Sequence, residues 1–179
     1  MGRLALHNNL IKFLLFSAAL YGSWLLCYEF ILKPWGRLDQ VITENITYFI
    51  CLGLDWLGYT PHYNIAKNIS ETYIYLGNIY TPIIRVGASC NGLELLVLFV
   101  IFILCYPSTR AKMPFILLGL LLIHVVNIAR NFILTLMTIH HSPYFDLFHR
   151  YIFIFLVYGV IFTLWLWWTN NQNHATAKK

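Results

Sequence analysis

Four long apolar stretches constrain the fold of this chain more than any other feature of its sequence. They cover residues 10–31, 90–106, 114–137 and 148–168. A helix needs ~20 residues to cross ~30 Å of hydrocarbon, and each stretch is near that length, the second least comfortably. Because lipid offers the backbone no hydrogen-bond partners, such stretches form helices rather than open strands. The sequence therefore predicts an all-α membrane protein, with a bundle of four transmembrane helices in a single domain over residues 1–169.

Composition supports a membrane protein over a soluble one. Of the 179 residues, 59% are apolar and 11% are charged, whereas about a quarter of a soluble domain is charged. The first stretch is long for the apolar core of a signal peptide, and no clear small-residue cleavage site follows it. We therefore expect it to remain in the protein. The polar residues 170–179 are predicted to form a disordered cytoplasmic tail.

Basic residues near the predicted helix ends indicate the orientation of the bundle. Six of them lie around the start of the first helix, between the second and third, or at the end of the chain: Arg3, Lys12, Arg110, Lys112, Lys178 and Lys179. Four crossings place these regions on one side, which the positive-inside rule makes cytoplasmic. We expect a multi-pass membrane protein with both termini on the cytoplasmic side. The net charge of +5 reflects this anchoring and not a nucleic-acid partner, because no basic stripe accompanies it.

The outer segment, residues 32–89, then lies outside the membrane. Apolar residues at helical spacing over residues 41–58 predict a helix along the membrane surface, which Pro61 closes. Two stretches rich in Tyr and Ile, residues 72–76 and 79–86, flank the turn-favouring pair Gly77-Asn78. A short β-hairpin is predicted there.

Three chemically reactive residues fall at the outer ends of three different predicted helices. Cys90 begins the second helix and His149 begins the fourth, both from outside. Arg130 follows Pro114 by 16 residues, which at ~1.5 Å per residue places it ~24 Å from the cytoplasmic start of the third helix. That depth is close to the outer edge of a ~30 Å hydrocarbon core. The sequence therefore predicts that a thiol, a guanidinium and an imidazole meet at the outer face.

Polar residues on the third helix form a stripe that should face the bundle interior or a water-filled cavity. At ~100° per residue, four of them share one ~80° arc; they are His124, Asn127, Asn131 and Thr135. For Asn131 and Thr135 we favour hydrogen bonding between helices. Arg130 lies ~60° beyond Asn127, and it either faces this interior or reaches the outer headgroups.

The surroundings of the cysteines differ. Cys27 and Cys105 lie within helices and are expected to be small buried hydrophobic residues, and the role of Cys51 stays open. Cys90 follows Gly87-Ala88-Ser89, and such small residues let a substrate backbone approach closely. A nearby cation would favour the nucleophilic thiolate.

Histidines in the outer loop before the fourth helix offer alternatives to His149. His140 and His141 lie in the same loop, and any of the three could be a residue of the membrane interface. The two are adjacent and lack supporting ligands at zinc spacing, so we expect no metal site and no cofactor.

Three short motifs together resemble the signature blocks of the exosortase/archaeosortase family. They are Ser89-Cys90-Asn91-Gly92, Asn127-Ile128-Ala129-Arg130 and Phe148-His149. The resemblance implies an integral-membrane cysteine transpeptidase of a bacterial cytoplasmic (inner) membrane, which acts on secreted proteins with a C-terminal sorting tail. Such a tail combines a short recognition motif, one hydrophobic helix and a basic cluster. By the same resemblance, Cys90 is the nucleophile, Arg130 stabilises the oxyanion and His149 is the general acid and base.

Two neighbouring residues depart from the pattern. Glu94 lies one helical turn beyond Cys90 and could pair with Arg130, and Asn91 stands where many members have Ser.

Membrane lipid and the tailed substrate are the expected partners.

Two other functions fit parts of the sequence. A quinone-linked thiol oxidoreductase of this size needs paired outer cysteines, and here only Cys51 and Cys90 could meet outside. A non-catalytic membrane assembly or scaffold protein would use the polar stripe for packing alone.

Overall fold

The structure, a computed structural model, describes residues 2–66, 71–106 and 112–176, and side chains between residues 10 and 170 of these. Helix α1 (Gly2–Cys27) continues through a π-helical turn (Tyr28–Leu32) and a helical turn (Lys33–Trp35). The remaining elements follow in chain order: α2 (Arg37–Trp56), β1 (Pro61–Ile65), β2 (Thr72–Leu76), β3 (Ile84–Val86), a 3-10 turn (Ala88–Cys90), α3 (Leu93–Cys105), α4 (Met113–Ile139), a helical turn (Phe145–Leu147), a π-helical turn (Phe148–Ile152) and α5 (Phe153–Thr176).

Three of the four predicted spanning helices are confirmed by length and apolar composition. The candidate spans are Leu10–Trp35, Met113–Ile139 and Phe145–Asn170. Helix α3 is equally apolar but has 13 residues, or about 20 Å at 1.5 Å per residue. The predicted count of four is therefore not confirmed for the described part of the chain, which has three candidate spans and one short apolar helix.

Aromatic rings gather where α3 ends. The ring of Tyr106 lies 6.1 Å from that of Phe13 in α1 and 5.4 Å from that of Trp168 in α5. Phe115, near the start of α4, stacks on Trp168 at 5.4 Å. The end of α3 therefore lies level with Phe13 near the middle of α1, with the start of α4 and with Trp168 in the second half of α5.

The core of the bundle lies between α3, α4 and α5. Its buried members are Phe99, Ile103, Phe115, Ile116, Ile123, Val157, Ile161 and Trp168. Gly119 lets α3 approach α4 closely, because a Cβ there would collide with the Phe99 ring. The large apolar side chains on the outer faces of the long helices are exposed, as suits contact with lipid.

The predicted surface helix exists as α2, and its apolar face has protein partners. Ile46, Ile50 and Leu54 are fully buried, in a second core that includes residues of α4 and the sheet. A second apolar stripe, which includes Leu52 and Trp56, is exposed. Helix α2 therefore packs against the protein on one side and leaves an apolar stripe on the other.

The predicted hairpin belongs to a three-stranded antiparallel sheet with the order β1-β2-β3. Strand β2 pairs with β3 in a register that sets Thr72 opposite Val86. Its second strand is shorter than predicted, and β1 was not predicted. Pro61 had been interpreted as the end of a helix, but proline is also tolerated as the first residue of an edge strand, which is its place in β1.

Helix boundaries differ from the prediction at two ends. Cys90 does not begin α3, because Gly92 takes the left-handed conformation (φ 76°) and separates the two. The last helix continues through residue 176, so the predicted tail is helical as far as Thr176. No glycine or proline interrupts the chain after Trp168, so nothing local ends the helix there. Residues 177–179 lie outside the described part of the chain.

Candidate active site

Cys90 lies in a short connection that the fold holds at the end of the bundle. Strand β3 leads through the extended Gly87 into the 3-10 turn Ala88–Cys90, and α3 begins three residues later at Leu93. The Cys90 side chain is half-buried. The thiol therefore stands on a tight turn between the sheet of the outer segment and a membrane helix.

His149 is the residue that faces this thiol. Its Nε2 lies 4.0 Å from Cys90 Sγ, and Ser89 Oγ lies 3.9 Å from the same sulfur. The imidazole stacks on Phe145 with ring centroids 5.7 Å apart and nearly parallel planes. The π-helical turn Phe148–Ile152 carries His149, and such turns often mark functional sites.

Arg130 reaches the same place from α4. It lines one cavity together with Cys90 and His149, and its charge acts on the His149 imidazole. Its Nε is buried and has no hydrogen-bond partner among the described residues. Glu94 lines this cavity too, yet the described residues contain no ion pair between it and Arg130. The structure thus brings the three predicted residues to one cavity, where Arg130 Nε has no hydrogen-bond partner among the described residues.

Two asparagines of the polar stripe hold the backbone of Cys90. Asn127 Nδ2 and Asn131 Nδ2 each donate to the Cys90 carbonyl oxygen at 3.2 Å. Thr135 donates within its own helix, to the Asn131 carbonyl oxygen at 2.8 Å. The expectation of bonding between helices is therefore wrong for Thr135. Asn131 does bond outside its own helix, to the backbone carbonyl oxygen of Cys90, the candidate nucleophile.

A second polar network, which the sequence did not reveal, joins three segments beside Cys90. Asp39 in the first turn of α2 is 1% exposed. Its Oδ1 accepts a hydrogen bond from Asn91 Nδ2 at 2.6 Å, and its Oδ2 accepts one from Tyr28 OH at 3.0 Å. The sequence offered little local signal, because the predicted helix began at residue 41, two residues beyond Asp39, whereas α2 begins at Arg37.

Two cavities meet at Cys90 and His149. The first, which we call the polar cavity, has a volume of about 750 Å³ and lies between Lys33, Asp39, Glu71 and Arg85. The second, the apolar cavity, has about 480 Å³ and runs between α3 and α5 past Leu93, Phe153 and Val157. Both cavities include Cys90 and His149 in their walls, and Arg130 lines the apolar one.

The other predicted candidates lie apart from these cavities. His140 Nε2 is 3.2 Å from Tyr59 OH in the outer segment, and His141 sits in the loop with a positive φ of 50°. All four cysteines are free thiols. Within the described ranges no group of three or more His, Cys, Asp or Glu residues is placed to hold a metal ion.

A half-buried thiol, an imidazole and a guanidinium at one end of a bundle of apolar helices define a membrane protein with a candidate cysteine-nucleophile site. Residues 4–169 match the family model described as Transmembrane exosortase (Exosortase_EpsH), so this chain belongs to the exosortase family. Membership supports a membrane transpeptidase-type role in general and confirms the resemblance found in the sequence motifs. Neither the curated proteins nor the solved structures include a significant match.

Proposed function

We propose that this protein is a membrane-embedded cysteine peptidase or transpeptidase. It cleaves the C-terminal sorting tail of exported proteins at the outer face of a bacterial cytoplasmic membrane. The observation that carries the proposal is the 4.0 Å separation of Cys90 Sγ and His149 Nε2 in the wall shared by two cavities. Membership of the exosortase family supports the same chemistry.

In the first step, Cys90 transfers its proton to His149 Nε2 and the sulfur attacks the scissile carbonyl carbon of the tail. A sulfur–nitrogen distance of 4.0 Å is long for a working proton transfer. Such contacts are often loose before substrate binds and tighten in the complex. The thiolate–imidazolium pair is then the nucleophilic form.

The carbonyl oxygen of the attacked bond becomes negatively charged, and Arg130 stabilises it. The guanidinium is suited to this role because its Nε is buried without a partner beside the reactive pair. Removing one donor from an oxyanion site typically costs about 10²–10³ in rate.

Collapse of the tetrahedral intermediate breaks the carbon–nitrogen bond. His149 gives its proton to the leaving amine, the tail departs, and the rest of the substrate remains as a thioester on Cys90. His149 then deprotonates the incoming nucleophile, which is water or an acceptor amine or hydroxyl, and the thiol is regenerated.

The two cavities suggest how a tailed substrate would lie. The apolar cavity, walled by side chains such as Leu93, Phe153 and Val157, suits the beginning of a hydrophobic tail helix. The polar cavity, with Lys33, Glu71 and Arg85 in its wall, suits the polar residues before the cleavage point. The scissile bond would then cross the place where both cavities meet.

In this proposal α3 crosses the membrane despite its length. Its first residues lie beside the site, and its last residues lie in the aromatic cluster of Tyr106, Phe13 and Trp168. Trp and Tyr are typical of membrane interfaces, and a bilayer can thin locally around a short helix. Lys112 donates to the Leu104 and Tyr106 carbonyl oxygens at 2.6 and 2.7 Å, which puts a positive charge at that end.

Coexpression with an exported, tailed protein encoded near this one would test the proposal. Cys90→Ala should abolish removal of the tail while the variant accumulates normally in the membrane. Cys51→Ala is the matched control and should process the tail like the parent. Continued processing by Cys90→Ala would refute the assigned nucleophile and would favour a non-catalytic scaffold.

A further inference from the structure

Asp39 is a buried carboxylate whose charge is not balanced by a salt bridge. In the described part of the chain, ion pairs join Lys33 to Glu29 and Arg85 to Glu71, and none involves Asp39. A charge that is 1% exposed destabilises the fold unless hydrogen bonds replace its lost water. Here the replacements are the amide of Asn91 and the hydroxyl of Tyr28. The start of α2 adds backbone dipoles that favour a negative charge.

Asn91 uses both ends of its amide in this network. Its Nδ2 donates to Asp39, and its Oδ1 accepts from the backbone nitrogen of Leu93 at 2.9 Å. That nitrogen belongs to the first residue of α3, which has no acceptor within its own helix. An amide can present its oxygen to Leu93 in this way because Asp39 accepts from its nitrogen. The carboxylate therefore sets the orientation of a side chain that is itself 1% exposed.

The same residues fix the turn that carries the thiol. Asn91 directly follows Cys90, and Gly92 then takes a positive φ of 76°. A Cβ at Gly92 would lie 2.9 Å from Asn127 Nδ2, so the turn rests closely on α4. From that side Asn127 and Asn131 hold the Cys90 carbonyl oxygen. On the opposite side, Asp39 of α2 accepts a hydrogen bond from Asn91 and so stabilises the same turn.

We infer that Asp39 is a positioning residue: through Asn91 it holds the Cys90–Gly92 turn so that the thiol faces His149. Asp39 does not contact the sulfur, and it acts through its neighbour. The catalytic consequence of this inference rests on the proposed function.

Exchanging the two side chains provides a specific test. Asn91→Asp alone sets two carboxylates against each other across a gap of 2.6 Å. This is strongly unfavourable where the pair cannot share a proton, so all variants are compared at alkaline pH. Adding Asp39→Asn restores one donor and one acceptor, because the amide then donates from position 39 and the carboxylate at position 91 still accepts from Leu93. Tyr28 OH keeps an acceptor in the exchanged pair. The second substitution should therefore repair the damage caused by the first.

The readout is the second-order rate constant for alkylation of Cys90 by iodoacetamide. The full-length protein is purified in detergent with the other three cysteines replaced by alanine. Asn91→Asp should lower the rate constant at least about tenfold, since it leaves buried polar groups without partners. The double variant should return to within about threefold of the parent, as expected for coupled neighbours. Asp55→Asn, at the exposed far end of α2, is the control and should react like the parent.

Each result decides between support and refutation. A double variant that reacts no faster than Asn91→Asp, or an Asn91→Asp protein that reacts like the parent, refutes the positioning role. If Asn91→Asp does not accumulate as folded protein, the double variant must accumulate and react, and its failure refutes the role as well. Tail removal that survives Cys90→Ala refutes the proposed function, whereas loss of tail removal in Cys90→Ala together with failed rescue of alkylation in the exchanged pair refutes the positioning role alone.

Discussion

Cys90 and Cys51 pack against the same buried cluster, and their surroundings give them different chemistry. Cys90 is next to an imidazole and opens onto two cavities. Cys51 lies within α2, where burial raises the pKa of its thiol to about 11. The thiolate is the reactive form of cysteine. A single protein therefore holds a candidate nucleophile and an inert thiol within one packing cluster.

The raised pKa of Cys51 predicts how slowly it reacts. The ordinary value is 9.0 and the value here is about 11, so below pH 9 the thiolate fraction is about 100-fold smaller than that of an ordinary thiol. In a variant whose only cysteine is Cys51, maleimide labelling at pH 8 should be about 100-fold slower than for a small-molecule thiol. The rate should keep rising with pH beyond pH 9. Labelling at the rate of a free thiol would contradict the burial of Cys51.

At the scale of single residues, the sequence predicted the candidate catalytic residues better than the residues that position them. Cys90 and His149 could be named because each begins an apolar stretch from outside, and Arg130 because its distance from Pro114 puts it at a similar depth. Their catalytic roles remain a prediction. Asp39 could not be found this way, since it is 52 residues from Asn91 in the chain. Only the folded outer segment brings its carboxylate to the thiol-bearing turn.

At the scale of elements, the close approach of α3 to α4 depends on Gly119. Gly119→Ala would drive a Cβ into the Phe99 ring, which is 1% exposed and has little room to move. Overpacking of this kind costs about 1–3 kcal/mol. The thermal unfolding midpoint in detergent, followed by far-ultraviolet circular dichroism, should fall.

Gly159→Ala in α5 is the matched control for Gly119→Ala. A Cβ at Gly159 meets no atom within 4 Å, so the substitution adds no collision. Alanine also has a higher helix propensity than glycine. This variant should unfold at or above the temperature of the parent. If Gly119→Ala behaved the same way, α3 and α4 would not pack as closely as the structure places them.

The elements that the sequence predicted least well are those set by local backbone geometry or by strand pairing. Apolar length found α1, α4 and α5, because hydrophobic stretches of this size have few alternatives. The π-helical turns at Tyr28–Leu32 and Phe148–Ile152 leave no comparable signal in hydropathy. Strand β1 was missed because its partner β2 is needed to form it. These local features nevertheless orient Tyr28 and His149 at the site.

At the scale of the whole molecule, two cores share α4 as their common support. The bundle core uses residues of α4 such as Phe115 and Ile123, and the core of the outer segment packs on later residues such as Phe132 and Leu136. The candidate site lies at the boundary between the bundle core and the core of the outer segment. The proposed cleavage of a membrane-borne tail needs this position, because the scissile bond must be in contact with water and its tail in contact with lipid.

A site in this position requires that α3 cross the membrane, so that its two ends lie on opposite sides. Of the six basic residues that predict the orientation, only Lys12 and Lys112 have described side chains, so the direction of insertion calls for a direct test. Tyr80, between β2 and β3, is 97% exposed, and Met113, at the start of α4, is 60% exposed. In a cysteine-free background, Tyr80→Cys should react with a membrane-impermeant maleimide in spheroplasts.

Met113→Cys should react with the same reagent only after the membrane is permeabilised. The physical reason is the single crossing by α3, whose 13 residues span about 20 Å of a bilayer that thins around it. Denatured samples of both variants, labelled to completion, control for expression and intrinsic reactivity. If both positions react from outside, α3 does not cross. The thiol-bearing turn and the start of α4 would then lie on one face, and the proposed entry of a tail between α3 and α5 would lose its basis.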